Sequence, residues 1–355
     1  MIRERRTDNG VPGGNHEFTL MHNIATEVLP THTPALLAGA VRRAVERLRA
    51  GDIVALPTET VYGLAANALD AGAVARVFAV KGRPAHNPVI CHVAGTALAR
   101  RCAAEWPLLA ERLAAAFWPG PLTLVLPRAV SIPDVVTAGG YTVGIRWPAH
   151  PVMQAVIAAC DFPLAAPSAN LAGQLSPTTA AHVLRQLNGR IPLVLDGGPA
   201  HVGVESTVLD ISVHPPCLLR PGMIHEEALL AVAGELARGP QAGVLRSPGL
   251  LRKHYSPRAP LVLLRWTHAA DLHAQLRARG VIPARTAVLT RAELPGAAEF
   301  QHVALLPREA AAYARALYAE LHHADAGGPH WIVVESPPDE PAWRAITDRL
   351  TRAAA

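Results

Sequence analysis

The segment Lys81-Gly82-Arg83-Pro84-Ala85-His86-Asn87-Pro88, running on to His92, concentrates groups suited to anion chemistry. Of 33 basic residues, only Lys81 and Lys253 are lysines. A chain that otherwise writes arginine keeps a compact, flexible ammonium here, two positions before a rigid planar guanidinium. In extended backbone a Lys-x-Arg pair sends both heads to one side, because side chains alternate with period two. Two unlike cations converging on one point suit a polyphosphate. The competing description is a solvated basic turn after a helix.

Three more polar clusters each close a candidate strand. One is Pro57-Thr58-Glu59-Thr60-Val61-Tyr62-Gly63-Leu64. The next combines Gly144-Ile145-Arg146-Trp147-Pro148 with Ala166-Pro167-Ser168-Ala169-Asn170. The last is Glu205-Ser206-Thr207-Val208 followed by Arg220-Pro221-Gly222. Ligands of open α/β sheets collect beyond strand ends, where loops from several strands meet. Ser, Thr, Asn and Pro also populate turns for local reasons, so the weight lies in four such clusters occurring in succession. The chain contains no Gly-x-x-x-x-Gly-Lys-Ser/Thr loop, no Gly-x-Gly-x-x-Gly, no Gly-x-Ser-x-Gly and no His-Glu-x-x-His. A nucleotide would have to be held in another way.

The elements that must position these residues alternate in type. Residues 34–50 read as an amphipathic helix, capped by Thr33, opened by Pro34 and ended by Gly51. Residues 52–56 and 88–93 read as short buried strands, with a helix over 71–80 between them. Further helices are expected over 106–117, 150–160 and 179–187, and strands over 122–126, 142–146, 164–166, 193–195 and 207–211. Short strands alternating with helices indicate an α/β domain with a largely buried sheet. Pro and Gly punctuate residues 236–260, which read as a linker. Beyond it, strands over 261–264, 286–289 and 331–334 and helices over 268–279, 308–321 and 341–351 predict a smaller α/β unit, residues 261–355. Its His322-His323-x-Asp325 run has metal-ligand residue types, but an exposed helix end is the simpler account.

A chain of 355 residues, half of them hydrophobic and 17% charged, has material for two domains. No apolar run approaches the ~18 residues of a membrane span. Residues 1–14 lack the apolar stretch of a signal peptide, and residues 1–33 read as a disordered extension, with Met21 as an alternative start. Cys91, Cys102, Cys160 and Cys217 have no Cys-x-x-Cys spacing. That pattern predicts neither a zinc ribbon nor a disulfide framework, and fits a cytoplasmic protein. The net charge of +5 is diffuse; it tolerates an anionic ligand or weak RNA binding without specifying either.

In combination, residues 57–64, the Lys81-x-Arg83 pair with Asn87-Pro88 and His92, and Ser168-x-Asn170 resemble the signatures of the L-threonylcarbamoyladenylate synthases, the YrdC-like proteins. The Ser247-Pro248-Gly249 and His254-Tyr255-Ser256-Pro257 stretches resemble the linker of the two-domain members. The resemblance covers residues 35–235, the linker and, more loosely, the tail. It implies a YrdC-like twisted, mainly mixed sheet with flanking helices over 34–235, and a smaller Rossmann-like α/β domain at the C-terminus. It also implies a nucleotidyltransferase. L-threonine and bicarbonate form a carbamate that attacks the α-phosphate of ATP, giving threonylcarbamoyl-AMP and pyrophosphate. A separate complex then modifies adenosine at position 37 of tRNA.

Matched residue by residue, the resemblance assigns Lys81 and Arg83 to catalysis and to the triphosphate. Asn87, Thr142, Ser168, Asn170, Ser176, Arg220 and Tyr255 go to the rest of ATP, with Mg²⁺ carried by the nucleotide and no protein side chain assigned to it. Thr60, His92, Arg146, the Ala166 backbone and Ser206 go to L-threonine, Arg146 as bidentate partner of its carboxylate. The linker is expected to fold over the site as a lid that excludes water. Each assignment has a plain structural alternative: a surface ion pair for Arg146, a core histidine for His92, turn or strand-end caps for Thr60, Ser176 and Ser206, an ordinary flexible linker around Tyr255. Two other functions compete: a double-stranded RNA-binding module, and a carbamoyl-transfer domain like that of hydrogenase-maturation proteins.

Overall fold

The computed structural model describes residues 24–238 and 254–355. The strands of the first domain are β1 (Glu27–Pro30), β2 (Val54–Leu56), β3 (Gly63–Asn67), β4 (Ile90–His92), β5 (Leu122–Pro127), β6 (Thr142–Arg146), β7 (Leu164–Ala165), β8 (Leu193–Asp196), β9 (Thr207–Asp210), β10 (Cys217–Arg220) and β11 (Ala237–Arg238). Its helices are α1 (Pro34–Arg49), α2 (Ala71–Lys81), α3 (Thr96–Cys102), α4 (Leu108–Phe117), α5 (Asp134–Thr137), α6 (Pro151–Cys160), α7 (Ala180–Leu187) and α8 (Glu226–Ala233). Among the described residues these eleven strands form one mixed sheet of order β1-β8-β2-β3-β7-β4-β6-β5-β9-β10-β11.

Strand alternation explains how helices cover both faces. Val54 and Leu56 of β2, with Leu193 and Leu195 of β8, join α1 and α6 in one core. The residues between them, Ala55 and Val194, join the core under α2, α4 and α7. A strand buried on both sides reads as a continuous apolar run, which is why Val54-Ala55-Leu56 and Leu193-Val194-Leu195 are legible without periodicity.

The second domain contains β12 (Leu261–Leu264), α9 (Ala269–Ala278), β13 (Thr286–Thr290), β14 (His302–Leu305), α10 (Ala310–Ala326), β15 (Trp331–Glu335) and α11 (Arg344–Ala353). Its four strands are parallel throughout, in the order β12-β15-β13-β14. One face packs on α9. The other carries α10 and α11, and their outer sides pack on the first domain: Tyr313, Leu317, Tyr318, Ile346 and Leu350 share a core with Val61, Leu175, Val204 and Tyr255. The expected fold class is the observed one.

Three local expectations change. Residues 24–33 are ordered, because β1 pairs in parallel with β8, and the Thr26 and Thr31 hydroxyls donate to Ile191 and Asp196 carbonyls at 2.7 and 2.8 Å. Four partly exposed edge residues held by backbone pairing carry no apolar periodicity. The expected linker begins as structure, with Ala237 opposite Cys217 in the sheet. The end of α10 is only partly exposed: His323 faces solvent, whereas His322 is buried and stacks on His182 with centroids 4.0 Å apart, and Asp325 pairs with Arg258 at 3.0 Å. Expectations for residues 1–23 and 239–253, Lys253 among them, lie outside the described residues.

Candidate active site

Sheet topology gathers the site at one edge. Strands β4 and β6 are parallel and in register His92↔Arg146, so both side chains sit at C-terminal strand ends. Strand β9 starts at the same edge, because β5 runs antiparallel to β6 and parallel to β9; Ser206 immediately precedes it. Strand β10 is antiparallel to β9 and ends there with Arg220. The 57–62 turn and the 166–168 loop complete the rim, and His254 and Tyr255 close over it. The resulting cleft encloses a cavity of about 50 Å³.

Nine of the expected residues line this cleft: Thr60, Arg83, His92, Arg146, Ala166, Ser168, Ser206, Arg220 and Tyr255. Lys81, Asn87, Thr142, Asn170 and Ser176 are buried but do not line it. Thr142 opens β6 and stands four strand positions, roughly 13 Å, from Arg146. Ser176 lies behind the wall and donates its hydroxyl proton to Glu205 Oε1 at 2.5 Å.

Lys81 and Arg83 do not follow the extended geometry expected for them. Lys81 is the last residue of α2, and Gly82 ends the helix in the left-handed conformation at φ 59°. The Lys81 ammonium therefore turns to the 168–170 loop, donating to the carbonyls of Ser168 and Asn170 and to Asn170 Oδ1 at 3.2 Å. Arg83 reaches the cleft from a turn braced by its own donations to the Asn87 and Pro88 carbonyls at 3.0 and 2.7 Å. Burial, and secondarily Arg83, pulls Lys81 well below the usual ammonium range. Burial brings Arg83 down to about 10, with Arg220 adding to the effect. An anion placed between Arg83 and Arg220, which both line the cleft, is favoured, since it offsets their mutual repulsion and lost hydration.

On the other side, Arg146 Nη1 donates to Thr60 Oγ1 at 2.9 Å and Nε to the Gly120 carbonyl at 3.3 Å. Thr58 directs its proton to the Val61 carbonyl at 2.6 Å, so Thr60 gives its own proton to Thr58 and offers lone pairs to Arg146. Arg146 Nη2 stands 2.6 Å from Glu59 Oε1 without hydrogen-bond alignment. The guanidinium is thus ion-paired with Glu59, yet its Nη2 makes no aligned hydrogen bond among the described residues. Among the described residues His92 Nδ1 makes no aligned hydrogen bond; burial, then Arg146, holds the ring down to about 3, so it is neutral at physiological pH.

The linker end is firmly seated. His254 N–H donates to the Arg352 carbonyl at 3.1 Å and Ser256 N–H to Gly173 at 2.8 Å. Tyr255 adopts φ 62°, an unusual conformation for a side chain of this size, with His254 against its ring at 4.0 Å. Among the described residues its hydroxyl has no hydrogen-bond partner, and burial pushes its pKa up.

Sequence reasoning assigned no role to Glu205, although it is quoted within the fourth cluster, nor to its partners Tyr318 and Arg349. Those two sit over a hundred residues away, and nothing local distinguishes them. Among the described residues no group of three or more His, Cys, Asp and Glu is arranged for a metal ion. No described helix is long and apolar enough to cross a membrane.

Comparison with known proteins places this geometry in context. Residues 46–222 match the Sua5, YciO and YrdC family described as "Telomere recombination", and residues 224–355 match "Threonylcarbamoyl-AMP synthase, C-terminal domain". The threonylcarbamoyl-AMP synthase of Pyrococcus abyssi is 39% identical over 324 residues, covering 88% of this chain and 93% of the relative. That of Bacillus subtilis is 40% identical over 337 residues, covering 93% and 95%. The crystal structure of P. abyssi Sua5 complexed with L-threonine superposes with a TM-score of 0.85 at 37% identity, over 93% of this chain and 98% of that one.

Proposed function

Because this chain belongs to the threonylcarbamoyl-AMP synthase family, we propose that it makes L-threonylcarbamoyladenylate and pyrophosphate from L-threonine, bicarbonate and ATP. The observation that carries the reading is Arg146, whose buried and unaligned Nη2 stands in the same cleft as Arg83 and Arg220. One wall suits an amino-acid carboxylate and the other a polyphosphate.

The threonine amine attacks the carbon of bicarbonate, water leaves, and a carbamate forms. A carbamate oxygen then attacks the α-phosphorus while the bond to pyrophosphate breaks. Such a displacement needs alignment and charge neutralisation more than a covalent nucleophile. In this reading Arg146 grips the threonine carboxylate, with Thr60, His92, Ser206 and the Ala166 backbone around its amine and hydroxyl. Arg83 and Arg220 neutralise the phosphates and Ser168 contacts the nucleotide. Lys81 and Asn170 act from behind by fixing the 168–170 loop; Asn87 serves similarly by bracing Arg83. Thr142 and Ser176 reach ATP only if the walls part.

Mg²⁺ enters with ATP as part of the substrate. Among the described residues the carboxylate in the cleft wall, Glu205, is already taken by Arg349, Ser176 and Tyr318, so in this reading ATP rather than Glu205 carries the metal. The cleft is too small for both substrates as it stands. The His254–Tyr255 segment therefore withdraws to admit them and returns to exclude water from a labile mixed anhydride. The product suits a cytoplasmic transfer to tRNA, forming N6-threonylcarbamoyladenosine at position 37.

The test is incorporation of labelled bicarbonate into a nucleotide product, with ATP and each of several amino acids in turn. The reading predicts label with threonine and equimolar pyrophosphate. Pyrophosphate released equally without an amino acid would refute it, and salt-sensitive binding of double-stranded RNA without turnover would favour the RNA-binding alternative.

A further inference from the structure

Several of the buried polar contacts between the two domains converge on one carboxylate in the cleft wall. Glu205 is 7% exposed and accepts from Arg349 Nε at 2.6 Å, while its backbone carbonyl accepts from Arg349 Nη2 at 3.2 Å. One guanidinium of the C-terminal domain thus grips both the side chain and the main chain of a cleft residue. The Tyr318 hydroxyl adds its proton to the same carboxylate, 3.2 and 3.4 Å from the two oxygens. The next residue is Ser206, whose carbonyl and hydroxyl both accept from Arg220 at 3.1 Å. The Arg349 guanidinium also lies 5.4 Å from the centre of the Tyr255 ring.

We propose that Arg349 is a positioning residue of the active site: through Glu205 it fixes the Ser206–Arg220 wall, and beside Tyr255 it seats the closing linker. The C-terminal domain thereby supplies part of the site's geometry. This rests on the threonylcarbamoyl-AMP synthase reading, which assigns Ser206 to threonine and Arg220 and Tyr255 to the nucleotide.

Adhesion alone does not call for this pair. The domains already share an apolar core in which Val61, Leu175 and Val204 meet Tyr313, Leu317 and Leu350. Removing two charges from water costs roughly what their attraction returns, so a buried ion pair adds little net stability over apolar residues of similar volume. A two-point guanidinium contact adds something else, a fixed orientation. Arg349 is itself held, its Nη1 donating to Asp348 at 2.7 Å and its side chain 1% exposed, so the anchor has little freedom. Burial works against the Glu205 charge, but Arg349 and then Arg220 outweigh it and hold the carboxylate below its usual range. Glu205 is therefore ionised and engaged at neutral pH.

The test compares the full-length parent with Glu205→Gln/Arg349→Met, which removes both charges together, and with Arg349→Lys, which keeps the charge but loses the fork. KM for threonine and for ATP is measured from pyrophosphate release, alongside thermal unfolding. KM does not depend on the fraction of protein folded, whereas apparent kcat does, so the two separate positioning from mere loss of fold. We expect the double variant to unfold cooperatively near the parent temperature with threonine KM raised at least about tenfold, equivalent to about 1.4 kcal/mol. Arg349→Lys is expected to give a smaller rise. A folded double variant with both KM values unchanged overturns the proposal. If the double variant does not fold, Arg349→Lys decides by the same KM comparison, unchanged values again overturning it. A parent without threonine-dependent turnover would instead sink the functional reading, and the proposal with it.

Discussion

Replacing Arg146 separates its proposed hold on a threonine carboxylate from its neutralisation of Glu59. The two side chains are 4% and 9% exposed and stand 2.6 Å apart. Arg146→Met deletes the positive partner and leaves Glu59 buried without compensation. Breaking a buried pair in this way costs about 3–5 kcal/mol, a large part of the 5–15 kcal/mol by which domains are typically stable. The lost donations to Thr60 and Gly120 add to the damage. A second change, Glu59→Gln, removes the stranded charge, so Glu59→Gln/Arg146→Met should recover most of the stability. Threonine binding should not recover. Losing one side of a desolvated charge pair costs about 2–5 kcal/mol in binding, or roughly 30-fold to several thousand-fold in affinity. Urea unfolding reports the first quantity and calorimetric titration with L-threonine the second. A stable double variant that binds threonine within threefold of the parent would refute the assignment of Arg146 to the carboxylate.

Other consequences follow from packing and protonation. Gly203 has φ 83°, and a Cβ there would lie 2.4 Å from the Ala314 carbonyl oxygen of α10. Gly203→Ala should therefore strain the domain contact, destabilising the protein by about 1–3 kcal/mol from overpacking, read as a lower urea midpoint. A Cβ on Gly222 would meet Thr207 N at 2.3 Å, so Gly222→Ala should displace the turn after Arg220 and raise ATP KM several-fold in a pyrophosphate assay. Lys81→Met strips the donor from two carbonyls of the 168–170 loop, costing about 1–3 kcal/mol, and should abolish turnover while calorimetry still detects threonine. Acid should weaken the domain junction through the stacked histidines. Burial, then the facing His322, holds His182 down to about 3, and burial holds His322 down to about 4. The unfolded chain protonates near pH 6.5 while the folded protein does not, so stability is complete above that pH. It is lost as pH falls from there through about 4 and then about 3. Urea midpoints between pH 8 and pH 4 should show this decline, with a shallower slope in His182→Gln/His322→Gln.

What the sequence disclosed follows from whether a signal is local. Helices with a cap and a left-handed or proline boundary, such as α1 behind Thr33 and α2 between Asp70 and Gly82, stand within a residue or two of their expected limits. Strands buried on both faces, like β5 and β8, announce themselves as apolar runs. Strand β3 does not, because Gly63-Leu64-Ala65-Ala66-Asn67 lacks β-branched residues and is a strand only through its neighbours β2 and β7. His92 and Arg146 were readable as polar residues closing apolar strands, and topology then brings them together. The orientation of Lys81 was not readable, since it depends on Gly82 turning left-handed at the helix end. Arg349 and Tyr318 were invisible for a different reason: one buried arginine on an amphipathic helix looks like any solvated one until its partner across the domain boundary is known.

The central claim is that one crevice holds an amino acid and a nucleotide side by side. It is tested most directly by the crystal structure of the chain with L-threonine and a non-hydrolysable ATP analogue. The account predicts the threonine carboxylate on Arg146 and the phosphates against Arg83 and Arg220, with the threonine nitrogen facing the α-phosphorus across room for one carbonate carbon. Threonine and nucleotide found in separate pockets, or either ligand absent from the Arg146–Arg220 cleft, would contradict it.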